Sequence, residues 1–185
     1  MEWPLRKAPI TTKKIGAQNW TEFNVLEVWI YSDSISNGIV ELWLASDSDK
    51  TPRTDYYKTS FQVSWQGWRL MRFPFSSFEP LGEPAGWWKI EEVILRVKTL
   101  NQTQRLLLDS LVVKSDENLG LKHFEGNNLF KNGSFEKVAA NGMPYDWGTW
   151  LPSSPPPRVQ IDKEIKNSGE NSISLYGSNQ DARGS

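Results

Sequence analysis

Apolar and polar residues alternate with a period of two along much of the first two thirds of the chain. In LEVWIYS (26–32), Leu26, Val28 and Ile30 share one face of an extended segment, and Glu27, Trp29 and Tyr31 share the other. VELWLAS (40–46) repeats the split, with Val40, Leu42 and Leu44 against Glu41, Trp43 and Ala45. In VILRVKT, Val93, Leu95 and Val97 form one face and leave Ile94, Arg96 and Lys98 on the other. Strands are predicted over 24–32, 39–46, 56–65, 68–75, 92–99 and 105–114, broken by turn-forming runs such as SDSISNG, SDSDKTPRTD, QG and LGEPAG. A single helical turn is predicted at Ser76–Glu79. Short strands at this spacing, with no helical period between them, predict an all-β fold, a β-sandwich of the jelly-roll type.

The organisation expected from composition is a sandwich over residues 1–114, a polar linker over 115–127 (SDENLGLKHFEGN), and the beginning of a second, incomplete β module over 128–185. The run Pro155–Pro157 must lie in a loop or at a sheet edge, since proline cannot donate to a ladder.

The faces opposite the aliphatic ones carry the chemistry. The chain holds ten tryptophans in 185 residues, and Trp29 and Trp43 sit on strands whose core side is already claimed by aliphatics. A flat ring beside a carboxylate suits a sugar, whose C–H face stacks on an indole while its hydroxyls bond to polar neighbours. If both strands lie in one sheet, Trp29 and Trp43 stack successive sugar units, Tyr31 extends the surface, and Glu27 and Glu41 accept hydroxyl protons. Burial under a loop or a neighbouring module is the alternative for both indoles. Tyr56, Tyr57, Trp87 and Trp88 lie in or beside loops, where a rim site recruits aromatics. Of the adjacent pair Trp87 and Trp88, one ring should point inward and one outward. A solvated strand face is the simpler reading of Arg96 and Lys98; within the carbohydrate reading they suit a uronic-acid polymer, because a guanidinium pairs with a carboxylate through two parallel hydrogen bonds.

Charge and composition narrow the function classes. With 21 basic and 22 acidic residues the formal net charge is −1, which argues against a nucleic-acid-binding or membrane-surface protein. No apolar run approaches the roughly 18 residues of a membrane span, and MEWPLRKAPITTKK lacks the apolar stretch of an export signal. The absence of cysteine removes disulfides, thiolate metal sites and thiol nucleophiles. The single histidine, His123, lies in the expected linker, so a Ser–His triad and a multi-imidazole zinc site are disfavoured. A carboxylate pair of the glycosidase kind remains open.

The segments WTEFNVLEVWIYS, YYKTSFQVSWQGWRLMRFPFSSF, EPAGWWKIEEVILRV and LLLDSLVV, in that order, resemble the galactose-binding-like jelly rolls appended to secreted polysaccharide lyases of the heparinase-like and alginate-lyase-like kinds. The resemblance covers about residues 18–114. NLFKNGSFE, PYDWGTW and NSISLYGS resemble the opening of a second group of carbohydrate-binding jelly rolls. The resemblance implies a strand ahead of WTEF, of which Met1–Trp3 would be a remnant, and places Trp65 and Trp68 of SWQGW at a structural corner. It also implies that Asp109, in the otherwise apolar LLLDSLVV, helps hold a structural calcium ion, a cation that takes oxygen ligands. Asp47, Asp49 and Asp55 form a weaker acidic candidate. The function implied is non-catalytic polysaccharide binding, outside the cell or at its surface, that keeps an attached catalytic domain near its substrate. The alternatives are a structural spacer packed on that domain and a catalytic jelly-roll lyase. Such lyases use a Gln-x-His strand and a Tyr-Lys strand, and of these only YYK (56–58) is present.

Overall fold

The computed structural model describes residues 10–99, 104–119, 130–150 and 158–177. His123, Met1–Trp3 and Pro155–Pro157 lie outside the described residues. The predicted segments form strands: β2 (Val25–Ser32), β3 (Ile39–Ala45), β4 (Tyr56–Gln62), β5 (Gly67–Pro74), β7 (Ile90–Thr99) and β8 (Gln104–Lys114). A 3-10 turn at Phe75–Ser77 replaces the helical turn expected one residue later. Five further strands are β1 (Ile10–Gln18), β6 (Glu79–Leu81), β9 (Gly148–Trp150), β10 (Arg158–Asp162) and β11 (Ser172–Gly177).

Among the described residues the strands build two antiparallel sheets, a six-stranded one in the order β6-β4-β3-β7-β1-β9 and a five-stranded one in the order β10-β11-β8-β2-β5. Leu26, Val28 and Ile30 of β2 and Leu106 and Leu108 of β8 belong to one core cluster with Val40, Leu42 and Leu44 of β3 and Val93, Leu95 and Val97 of β7. The two inner faces thus close on one another, which makes the fold a β-sandwich. Each fully buried aliphatic contributes roughly 1.5–3 kcal/mol of transfer free energy, and period-two alternation is what delivers all of them to the same side.

The chain does not divide into two sheet systems at residues 115–127. β9 pairs with β1, with Ile10 opposite Trp150, and β11 pairs with β8, with Ile173 opposite Leu108. Trp20, fully buried, stacks on Phe75 at 5.9 Å and meets the edge of Phe130 at 5.6 Å. Phe135, Trp147, Ile173 and Leu175 enter the same core. The junction is a β-bulge in β8: Ser110 adopts a left-handed φ of 54°, the register with β2 shifts, and the N–H of Leu111 turns to the carbonyl of Gly133 at 3.0 Å. The segment expected to open a separate module therefore supplies strands and core residues to the same sandwich.

A strand ahead of WTEF is present at 10–18. Its sequence, ITTKKIGAQ, shows no alternation that would announce it. β7 and β9 hold it from both sides, and its register slips at Gly16, where φ is 68°.

Candidate functional site

The outer face of the six-stranded sheet gathers five of the residues singled out by sequence. Across β4, β3 and β7 the register sets Tyr56 beside Ala45 and Glu92, Lys58 beside Trp43 and Ile94, and Ser60 beside Glu41 and Arg96. Trp43 is partly exposed at the centre of this grid. Its indole N–H donates to Glu41 Oε2 at 3.2 Å, Tyr56 meets its ring nearly edge-on at 5.2 Å, and the Arg96 guanidinium lies 5.7 Å from its ring centre. Lys98 reaches the other Glu41 oxygen at 3.1 Å. Glu41 is 8% exposed, so both of its oxygens serve to hold neighbours. It orients Trp43 and neutralises Lys98, where the sequence suggested a hydroxyl acceptor.

Arg96 makes no hydrogen bond or ion pair with any described residue, and its Nε is buried without an acceptor. Lys58, which the sequence reading passed over, likewise carries no ion pair among the described residues. The signal for it was available, since the alternation in YYKTSFQ places Tyr56, Lys58 and Ser60 on the face opposite Tyr57 and Phe61. Burial raises the Tyr56 phenol above its ordinary value, with Glu92 and Asp47 adding to the rise. It is an uncharged hydrogen-bonding ring at neutral pH.

Trp29, expected beside Trp43, is on the other sheet. It lies on β2 in the five-stranded sheet, opposite Leu70 on β5 and Asp109 on β8, so the two indoles face away from each other on opposite sides of the sandwich. Period-two alternation fixes which side of its own strand a residue occupies and says nothing about which sheet the strand joins. A joint Trp29–Trp43 platform is therefore excluded. Tyr31 shares the Trp29 face and meets Trp68 edge-on at 5.6 Å. Trp68 is thus outward, and it is Trp65 that is buried at the corner. Glu27 is enclosed by Arg72 Nε at 2.8 Å and Lys114 Nζ at 2.7 Å, which occupies it structurally.

The rim aromatics divide in the same way. Trp87 points inward, sandwiched between Tyr57 at 4.4 Å and Phe75 at 4.1 Å, while Trp88 is 57% exposed and donates its indole N–H to Ala85 O at 2.8 Å. Tyr57 and Trp87 are partly buried and pack against the core. Tyr56 and Trp88 are the outward members of their pairs.

Asp109 is fully buried. Its Oδ2 accepts the backbone N–H groups of Asn167 at 3.2 Å and Ser168 at 2.9 Å, and its Oδ1 accepts Ser110 Oγ–H at 3.0 Å. The carboxylate anchors the β10–β11 connection, and no group of three or more His, Asp or Glu side chains suited to a metal ion occurs among the described residues. Asp55, in the weaker acidic candidate, accepts Thr51 Oγ1–H at 2.7 Å, Ser48 Oγ–H at 3.1 Å and the Glu83 N–H at 3.0 Å. It too closes a loop. No helix among the described residues is long and apolar enough to cross a membrane.

Compared with known proteins, the sequence matches no family model and no curated protein.

Proposed function

We propose that the protein is a non-catalytic polysaccharide-binding module, a sandwich of the galactose-binding-like jelly-roll class that works outside the cell or at its surface. In this reading it keeps an attached carbohydrate-active domain near its substrate. The observation that carries it is the open sheet face around Trp43, where a partly exposed indole is held by Glu41 and flanked by Tyr56 and Arg96. Fixing the ring beforehand removes part of the ordering cost of binding, and the flanking groups supply donors for hydroxyls. The test is retention of the purified protein on immobilised polysaccharides. Trp43→Ala should abolish retention at unchanged melting temperature, and Trp29→Ala should leave it intact. Retention unaffected by Trp43→Ala sinks the assignment to this face.

A spacer that packs on a catalytic domain is the second reading, favoured by the opposite face. There Trp29, Tyr31, Trp68 and the 37%-exposed Leu70 stand together on β2 and β5. Such a role predicts protection of Trp29 and Trp68 from chemical modification only when the module is joined to its catalytic partner.

A further inference from the structure

Four basic side chains, Lys14, Lys58, Arg96 and Lys98, share the outer face of the six-stranded sheet with three acidic ones, Glu41, Glu79 and Glu92. Their pairing is uneven. Glu41 is consumed by Lys98 and Trp43, and Glu92 lies in the Tyr56 row, across Ala45. Lys58 and Arg96 lie on the two strands that flank Trp43, two strand spacings and two residues apart, roughly 12 Å; Lys58 stands opposite Glu79 without forming an ion pair with it, and Arg96 meets no carboxylate among the described residues. A partly desolvated guanidinium whose Nε lacks an acceptor is unfavourable. Stacking on Trp43 offsets part of that cost and holds the planar group in place. What Arg96 lacks is an anion.

Building on the polysaccharide-binding reading, we infer that this face selects acidic polysaccharides, with Arg96 as the specificity-determining residue and Lys58 as a second electrostatic anchor. The ligand's carboxylate or sulfate is the missing counter-ion. It pairs with the Arg96 fork while the neighbouring sugar ring lies against Trp43 and Tyr56. Lys98 contributes little, because Glu41 already neutralises it.

The experiment measures affinity for polygalacturonate, its fully methyl-esterified form, dextran sulfate and unmodified dextran, for the unaltered protein and for R96Q, R96K, K58Q and W43A. The melting temperature of each variant is recorded alongside. The acidic polymers should bind at least about tenfold more tightly than their neutral counterparts. That advantage should collapse between about 0.01 M and about 1 M salt, where the Debye length shrinks from roughly 30 Å to 3 Å. R96Q should erase most of it, R96K should keep part of it, and K58Q should lower it severalfold. Preference for polygalacturonate over dextran sulfate identifies carboxylate as the anion read, and the reverse identifies sulfate. Either order supports the inference. Equal binding of charged and neutral polymers that still requires Trp43 overturns the charge selection and leaves the polysaccharide-binding reading standing. If R96Q fails to fold, unchanged acidic preference in both R96K and K58Q overturns it instead. Failure of the folded protein to bind any of the four polymers overturns both.

Discussion

Trp87 lies flat on Phe75, with ring centroids 4.1 Å apart and planes 9° from parallel. Its sequence neighbour Trp88 presents 57% of its surface to solvent. Two adjacent tryptophans at the centre of one turn, closed by the Lys89 N–H on Gly86 O at 3.0 Å, thus have opposite jobs. Trp87→Ala should cost about 3–5 kcal/mol of stability, since it removes a ring stacked on both faces. Trp88→Ala should stay within about 0.5 kcal/mol. Urea unfolding of the two variants checks the assignment, and comparable losses would contradict it.

The loop closed by Asp55 should give the protein part of its acid sensitivity. The Thr51 hydroxyl is the largest cause that holds the Asp55 carboxyl below its ordinary value of 3.8, and Ser48 and the Glu83 N–H act in the same sense. The unfolded chain then takes up this proton first as pH falls. The stabilisation is fully present above pH 3.8 and is lost as pH drops through the folded-state value below it. Asp116 acts likewise, held down chiefly by the Arg72 guanidinium. Thr51→Val should reduce the steepness of stability against pH below about 4 by some fraction of the one proton that a single carboxylate can contribute. Stability should be flat in pH from about 5 to 7 on account of these two groups.

Gly82 has a φ of 82°, and a Cβ there would fall on Asp55 Oδ1. Gly82→Ala meets both penalties, the left-handed backbone and the collision, and should destabilise by about 1–3 kcal/mol. Gly142, with a similar φ of 79° and open space around it, isolates the backbone share. Gly142→Ala should cost less. Thermal unfolding of the pair separates the two contributions.

Arg72 ties Glu27 to Asp116, on the chain just past β8, and Asn24 exchanges two 2.8 Å hydrogen bonds with the Asp116 backbone. Arg72→Met leaves the buried Glu27 carboxylate with Lys114 alone. The expected cost is about 1–2 kcal/mol, at the low end of that for stranding a buried charge, because Arg72 itself is about half exposed. Equilibrium denaturation at low and high salt should show the loss to be larger at low salt.

What the sequence made legible follows the physics of each signal. Strands with aliphatic alternation, β2, β3, β7 and β8, are plain because one face must be buried, and both the sandwich and the outward side of Trp43, Arg96 and Lys98 follow from it. β1 was invisible because its apolar residues, Ile10 and Ile15, are offset by an odd spacing and its place depends on β7 and β9. The separation of Trp29 from Trp43 was equally beyond reach, since sheet membership is decided by pairing between residues far apart in sequence. The same holds for Asp109, whose partners Asn167 and Ser168 lie more than fifty residues away. Glu41 and Glu27 were found as polar members of aromatic faces. Their actual work, holding Trp43 with Lys98 and pairing Arg72 with Lys114, depends on cross-strand neighbours that no local pattern encodes.

Removal of residues 128–185 is the sharpest test of the organisation described here. If those residues formed an appended unit, the remaining chain would unfold with undiminished cooperativity. Because Phe130, Phe135, Trp147, Ile173 and Leu175 belong to the core around Trp20, the shortened chain should lose its sharp transition and self-associate through the uncovered edges of β1 and β8. Sedimentation together with thermal melting reads both effects.

The strand order also sets a timetable for synthesis. β1 finds its partners only after residues 90–96 and 148–150 exist, and β8 gains its outer neighbour only with residues 173–177. On a ribosome that makes about 5–20 residues per second, the roughly 130 residues between β1 and its last partner take about 7–26 s to make, with the hydrophobic inner faces incompletely covered meanwhile. High contact order slows the final closure further. Polar residues along β1, with Thr11, Thr12, Lys13 and Lys14 in succession, keep that waiting strand from joining a neighbouring chain. The feature that hid β1 from the sequence is thus the one that protects the nascent protein.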